Sequence, residues 1–487
     1  MKNLKDILYK VAVESVIGPT ELPITKVAFD SREVKRGSLF VAQKGFVFDG
    51  HQFIDKAIEK GAIAIICEDM PDIRVSNVSY IKVADSNEAL AILVSNFYDN
   101  PSEKLKLIGV TGTNGKTTIA SLLYSLFQRA GYKTGLISTI KILIDEVEQA
   151  ATHTTPDSVT INKALNDMVK AGVVYCFMEV SSHGIHQKRT SGLHFEGGIF
   201  TNLTHDHLDY HNTFSEYRDV KKSFFDNLSN KAFALVNIDD KNGLFMLQNT
   251  PAKKYTYALK TVADYKVKIM ESQFNGLLLN IDDHEVWTKL IGSFNAYNLL
   301  AIYATADLLG LENLENLRLI SELENVEGRF QHAVSKSGIN SIVDYAHTPD
   351  ALKNVLETIN GIRTYNEQLI TVVGCGGDRD RSKRPKMGNI ASVLSNQVVF
   401  TSDNPRSEDP DEIIKDVEAG VLPENYKKTI SITDRKQAIK TACKLAAQGD
   451  IILIAGKGHE KYQIIGDSRI DFDDFKITNE LLIEMNK

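Results

Sequence analysis

Leu107-Ile-Gly-Val-Thr-Gly-Thr-Asn-Gly-Lys-Thr-Thr118 is an apolar run that breaks into a glycine-rich turn and then into Lys-Thr-Thr. Leu105, Leu107, Ile108 and Val110 read as a short buried strand, and Ile119, Leu122, Leu123, Leu126 and Phe127 recur at helical spacing beyond the turn. Strand, glycine loop, Lys-Thr and helix is the order of a phosphate-binding loop. Glycines let backbone N–H groups close on a polyphosphate, and a helix that starts there turns its positive end toward the same anion. On this reading Lys116 is a point charge for the β- and γ-phosphates and the Thr117 hydroxyl a ligand for Mg²⁺. Gly112, Thr113, Asn114, Gly115 and Thr118 complete the cradle. The usual spacing has a glycine where Val110 stands, and Gly109 and Gly112 are present instead, so the loop is a variant. A plain glycine-rich strand-to-helix turn is the competing reading.

Around this stretch the chain runs to 487 residues, too long for one core, which implies roughly two to four domains. A hydrophobic content of 43% and a charged content of 24% are those of an ordinary globular protein. The net charge of −7 gives no reason to expect nucleic acid or an anionic membrane as partner. Cys67, Cys176, Cys375 and Cys443 are widely separated, with neither metal spacing nor the density of a disulfide framework. Met1 to Tyr9 is amphipathic and charged rather than a signal peptide, and no run approaches the roughly 20 apolar residues of a membrane span. A cytoplasmic location is the default.

Residues 1–100 read as a small α/β domain, with strands at 27–32, 38–42 and 62–67 and a helix over 49–60 that turns Phe53, Ala57 and Ile58 to one side. The break Tyr98-Asp-Asn-Pro-Ser102 closes it. Residues 101–330 carry the phosphate loop and further apolar strands at 133–138, 175–180, 198–202 and 234–239, which implies a doubly wound, mostly parallel sheet with ligands at the strands' carboxyl ends. Residues 331–487 repeat the design: strands at 369–374 and at the starts of 341–349, 398–406 and 451–460 run into charged turns, a second open, Rossmann-like sheet.

Three groups of polar residues at strand ends stand out. Glu179, in Glu179-Val-Ser-Ser-His-Gly184, is placed to hold Mg²⁺ beside a phosphate loop, against the plainer reading of a turn carboxylate. His205, Asp206, His207, Asp209 and His211 are dense but match no zinc spacing; most read as an exposed polar loop, with one or two as ligands. Asp403-Asn-Pro-Arg406 and Gly456-Lys-Gly-His-Glu460 offer an Arg fork for a carboxylate and a Glu for an ammonium, which together suit an amino acid.

Those motifs, with Phe294-Asn-Ala-Tyr-Asn298, Gly328-Arg329 and Asp344-Tyr-Ala-His-Thr-Pro349, resemble the Mur ligases of peptidoglycan synthesis, in order and at family spacing from about Val27 onward. The resemblance is closest to members that add the third residue to UDP-N-acetylmuramoyl-L-alanyl-D-glutamate. It implies three domains: one for the UDP sugar, a central ATPase and a C-terminal amino-acid domain. It also implies an acyl-phosphate mechanism with ATP and Mg²⁺, and a monomer.

By that resemblance Thr117 and Glu179 hold the ATP magnesium, and His207 matches a second metal ligand. Lys221 aligns with a lysine that is carbamylated, and its neighbour Lys222 is set aside by distance from Asp206-His-Leu-Asp209. Asn295, Asn298, Arg329 and Asp344 match nucleotide contacts. Ser31 matches a uracil-site residue, and Thr154, Thr155, Ser181, Gln187 and Arg189 match muramoyl-dipeptide contacts. The uridine loop Gly45-Phe-Val-Phe-Asp-Gly50 and His153 depart from the family pattern. Arg379, Asp403, Asn404, Pro405, Arg406, Gly456 and Glu460 match the acceptor clamp of members that add meso-diaminopimelate. Members that add L-lysine usually lack the Arg, which would be left buried without a partner, so meso-diaminopimelate is the expected acceptor and L-lysine the alternative.

Overall fold

The computed structural model describes residues 1–487 except 46–48, 205, 207–209 and 212. The uridine-loop residues 46–48, and His205, His207 and Asp209, therefore lie outside the described residues.

Three sheets organise the chain. In the first, Val13–Ile17, Ser79–Val83, Ala62–Cys67, Ser38–Val41 and Lys26–Ala28 lie in that order, parallel apart from the antiparallel edge strand Val13–Ile17. The expected helix over 49–60 starts as a 3₁₀ turn, Gly50–Phe53, before the helix Ile54–Glu59. That change of pitch buries Ile54 and Ala57, whereas Phe53 and Ile58 are only partly covered.

Among the described residues the central sheet has eleven strands. Its parallel body runs Thr134–Ile137, Tyr175–Glu179, Lys106–Thr111, Gly197–Phe200, Phe233–Asn237, Lys253–Ala258 and Tyr265–Gln273. Antiparallel strands extend it on both edges, Lys141–Ile144 with Val147–Ala150 on one and Gly276–Ile281 with His284–Thr288 on the other. The body strands are near-continuous apolar runs because helices cover both faces. Helix Lys116–Arg129 packs Ile119, Leu122, Leu123, Leu126 and Phe127 into one core, where the buried helix Ser293–Leu308 meets it.

The third sheet orders Gln331–Val334, Asn340–Asp344, Ile451–Ala455, Leu369–Val373, Gln397–Phe400 and Thr429–Ser431, parallel apart from the first. Thr348 caps the helix Pro349–Ile362, with Pro349 in the first turn, where its missing N–H costs nothing. Among the described residues no helix is long and apolar enough to cross a membrane.

Candidate active site

Strand Lys106–Thr111 lies between Tyr175–Glu179 and Gly197–Phe200, and the sheet grows outward from it in both directions. Such a switch point opens a crevice at the carboxyl ends of the strands, and the glycine loop fills it. Gly112 has φ +145°, and a Cβ there would lie 1.9 Å from Thr201 Oγ1. Gly115 has φ +89°, with its Cβ position 2.7 Å from Asn298 Oδ1. Both glycines are thus required by backbone and by space. Gly109 is not part of the loop: it sits inside the strand, where its bare face admits the Phe224 ring, and Val110 is a buried strand residue paired with Glu179. The turn itself begins at Gly112.

Lys116 Nζ curls back over the loop, donating to the carbonyls of Gly112 at 2.9 Å and Thr113 at 2.7 Å. Burial lowers its pKa below the ordinary lysine value. Thr117 Oγ1 donates to Glu179 Oε2 at 3.0 Å and accepts from Arg329 Nη2 at 3.0 Å. Glu179 is fully buried at its strand end, its other oxygen accepting from the Thr139 N–H at 2.7 Å. Among the described residues no lysine, arginine or histidine forms an ion pair with Glu179. A buried carboxylate served only by neutral donors, beside a threonine hydroxyl, is a hard-oxygen donor set suited to Mg²⁺.

Lys221 and Lys222 part company. Lys221 is buried and donates from Nζ to the Gly112 carbonyl at 2.9 Å, whereas Lys222 turns one helical step away to pair with Asp226 at 2.5 Å. Burial first, and then the neighbouring Lys116 charge, holds the Lys221 amine well below its usual pKa. Of the polar loop before the Lys221 helix, Asp206 lines the cavity, while His211 is buried against Tyr217 with Nδ1 3.8 Å from Glu216. His211 is thus a core residue of a loop that reads, for most of its polar residues, as exposed.

A cavity of about 660 Å³ extends from the loop to the third sheet. Asn295, Asn298, Arg329 and Asp344 all line it. The Asn298 amide donates to Asn295 Oδ1 at 2.9 Å, and the Arg329 guanidinium lies over the Tyr345 ring at 4.6 Å. Asp344 accepts from the Phe330 N–H at 2.7 Å, and burial raises its carboxyl to about 6. Asn114 Nδ2 donates to Asp350 Oδ2 at 3.2 Å, tying the loop to the start of helix Pro349–Ile362.

Next to Glu179 a second group assembles. Thr154 meets Thr139 hydroxyl to hydroxyl at 3.0 Å; Thr155 Oγ1 donates to the Glu179 carbonyl at 2.8 Å and accepts from the Ser181 N–H at 2.9 Å. Arg189 reaches the Thr155 carbonyl at 2.6 Å and makes two bonds to Gln187 Oε1. The Ser181 hydroxyl, however, accepts from the Gly184 N–H and caps the short helix Ser182–His186. Ser31, buried at the start of a 3₁₀ turn near the first sheet, does not line the cavity.

The third group is built by the loops after Leu369–Val373, Gln397–Phe400 and Ile451–Ala455. Asn404 Nδ2 donates to Glu460 Oε2 at 2.8 Å. Arg406 Nη1 donates to the Gly377 carbonyl at 2.7 Å, and its backbone, at φ 54°, is held by the hairpin Tyr462–Ile465/Ser468–Asp471. A Cβ on Gly456 would lie 2.5 Å from Asp403 Oδ2. Pro405 is buried, with its carbonyl packed on Gly377. Arg379 is exposed on the rim, beside Gly376, which also touches Arg406. None of the third-group residues named here lines the large cavity; Tyr345, which does, packs its ring tilted against His459 with centroids 4.9 Å apart.

Family models match over residues 23–98 ("Mur ligase family, catalytic domain"), 110–306 ("Mur ligase middle domain") and 328–458 ("Mur ligase, glutamate ligase domain"). A protein of Cytophaga hutchinsonii is 55% identical over 486 residues, covering 100% of both chains. The chain belongs to the Mur ligase family. That relative, and one of Bacteroides thetaiotaomicron at 52% identity over 98% of this chain and 99% of its own, carry the name UDP-N-acetylmuramoyl-L-alanyl-D-glutamate–2,6-diaminopimelate ligase. A solved structure of the same name is 32% identical, covers 100% of this chain and 99% of its own, and superposes with a TM-score of 0.70. This Mur ligase is an ATP-dependent ligase with the three-part α/β fold of its family.

Several residues of this Mur ligase site escaped the sequence reading. Lys457 lies inside a quoted motif, yet its fully buried ammonium is the hub of the third group. Arg435, paired with Asp474 and buried on both sides, donates to the Ser402 and Ala455 carbonyls at the roots of two of these loops. Arg384 is fully buried and bridges Glu408, Asp416 and the Gly376 carbonyl, bracing the loop that carries Arg379. Only long-range folding creates these pairings, so no local spacing marks them.

Proposed function

We propose that this Mur ligase joins meso-diaminopimelate to the D-glutamate γ-carboxylate of UDP-N-acetylmuramoyl-L-alanyl-D-glutamate, with ATP cleaved to ADP and phosphate. The observation that carries the acceptor assignment is the placement of Arg406 in one clamp with Asn404 and Glu460. A cation fork and a carboxylate at one site suit an acceptor with a distal carboxylate and an ammonium. Relatives at 52–55% identity bear the diaminopimelate name, which supports the same reading.

In this account residues 1–100 hold the UDP sugar, 101–330 the nucleotide and 331–487 the acceptor. Ser31 takes the uracil end. Thr154, Thr155, Ser181, Gln187 and Arg189 orient the muramoyl dipeptide next to Glu179. Asn295, Asn298, Arg329 and Asp344 seat the nucleoside, and Lys116 leaves its two carbonyls for the β- and γ-phosphates. Thr117 and Glu179 would hold Mg²⁺, with His207 and a carbamylated Lys221 at a second position. The metal supplies charge neutralisation where two anions must meet. A buried lysine beside Lys116 disfavours its ammonium form, and it is the neutral amine that takes up CO₂.

The γ-carboxylate oxygen attacks the γ-phosphorus and ADP leaves. The acceptor amine then attacks the acyl carbon, gives up its proton, and phosphate departs with the former carboxylate oxygen. The P-loop amides and Lys116 act on the charge that builds during transfer, where fixed dipoles contribute most. Phosphate release measured with ATP, UDP-muramoyl-dipeptide and either acceptor tests the proposal. Release that requires meso-diaminopimelate is expected. Release without any amine overturns the ligase reading, and release with L-lysine alone overturns the acceptor assignment.

A further inference from the structure

Lys457 follows Gly456 in the loop after strand Ile451–Ala455 and has no exposed surface. Its ammonium donates to Asn404 Oδ1 at 2.9 Å and lies 3.5 Å from Glu460 Oε2 and 3.6 Å from Asp403 Oδ1. The Ile464 N–H donates to the same Asn404 oxygen at 2.9 Å. With two donors on that oxygen, the Asn404 amide has one orientation, and its NH₂ faces Glu460, to which it donates at 2.8 Å. A buried ammonium is costly alone, and so are two carboxylates that face each other. Together they leave the cluster one negative charge, which an incoming ammonium would cancel.

We propose that Lys457 is a positioning residue for the acceptor amino acid: its ammonium fixes the Asn404 amide and balances Asp403, so that Glu460 meets the acceptor's ammonium as an ionised carboxylate. This rests on the acceptor-clamp reading above and adds a residue that acts through Asn404 and Glu460. Charged and titratable groups reach Glu460 from every side: Asp403 and Lys457 directly, Arg435 from helix Arg435–Leu445, Tyr345 from the loop after Asn340–Asp344, and Tyr462 from the hairpin. Burial first, then Asp403, pushes the Glu460 carboxyl up, and Lys457 is the charge that opposes both. Loss of Lys457 therefore moves Glu460 toward its protonated form, and removal of Asp403 moves it the other way.

The test is steady-state kinetics on the full chain for the parent, Lys457→Met, Lys457→Arg, Asp403→Asn and the double variant Asp403→Asn/Lys457→Met. Lys457→Met should raise the diaminopimelate KM about tenfold or more, with the ATP and UDP-dipeptide KM values unchanged. Its acid limb of kcat/KM against pH should move up by about one unit. Lys457→Arg should recover part of the KM. The double variant should return the acid limb toward the parent, and Asp403→Asn alone should lower it, which keeps the test open even where Lys457→Met folds poorly. Equal KM and an unmoved acid limb, or a uniform loss in all three substrates, would overturn the role of Lys457. A parent protein that releases phosphate without any amine would instead overturn the ligase reading, and the two failures are distinct.

Discussion

Arg406→Ala is the sharpest perturbation of the proposed acceptor clamp. Arg406 Nη1 is committed to the Gly377 carbonyl at 2.7 Å and the Asn404 carbonyl at 3.4 Å. Among the described residues no acceptor meets Nη2, the nitrogen left for a ligand carboxylate. The backbone at φ 54° is held by Ile464 and Gly466 through main-chain bonds, which alanine keeps. The change therefore removes a charge-assisted contact to the acceptor together with the side chain's bonds to two loop carbonyls, while the main-chain bonds of the loop remain. Hydrogen bonds to a charged partner contribute about 1.5–3 kcal/mol, which corresponds to roughly 10- to 150-fold in kcat/KM. Coupled phosphate release at varied diaminopimelate should show that loss, while the ATP KM stays level. Arg406→Lys should fall between, since it keeps the charge and loses the planar fork. Use of L-lysine, which has no distal carboxylate, should change little. An unaltered diaminopimelate KM, or an equal loss with L-lysine, refutes the reasoning.

Three other outcomes follow from the site's geometry. Gly112→Ala places a methyl 1.9 Å from Thr201 Oγ1 at φ +145°, so it should cost about 1–3 kcal/mol in urea unfolding and raise the ATP KM. Asp344 has its carboxyl raised to about 6 by burial, so its ionised form weighs against folding; the penalty is absent below about pH 4 and full above about pH 6. Asp344→Asn should thus melt higher than the parent at pH 8, with the gap closing in acid, while its ATP KM rises. Glu408 is held down to about 2, first by Arg384 and then by Arg381, so its contribution to stability is full above about pH 4.5 and fades toward pH 2. Glu408→Gln should lower stability at pH 7 by about 1–3 kcal/mol in urea unfolding, an effect that shrinks in acid.

What could be read from the sequence, and what could not, divides by range. The phosphate loop is legible because strand, turn and helix are adjacent, and Glu179 because an acid at the end of an apolar strand arrives at the same edge of a parallel sheet. The family resemblance puts Lys221 ahead of its neighbour, and helical rotation turns that neighbour, Lys222, to Asp226. The hairpin Lys141–Ile144/Val147–Ala150 was passed over because its second strand is wholly exposed and carries no hydrophobic alternation. Arg329 meets Thr117 across 212 positions and Asn114 meets Asp350 across 236. Pairings of that range depend on how the sheets are docked. Lys457 was hidden by type: a lysine in a polar turn reads as solvated, and only the three loops converging on it bury it.

The central claim is that the loop transfers a phosphoryl group to a carboxylate, which then yields to an amine. It is tested most directly by labelling both oxygens of the D-glutamate γ-carboxylate with heavy oxygen and analysing the phosphate and the peptide product by mass spectrometry. The account predicts one heavy oxygen in each released phosphate and the other in the new amide, formed only when meso-diaminopimelate is present. Phosphate that carries no label would mean that water or another acceptor takes the γ-phosphoryl group, and would contradict it.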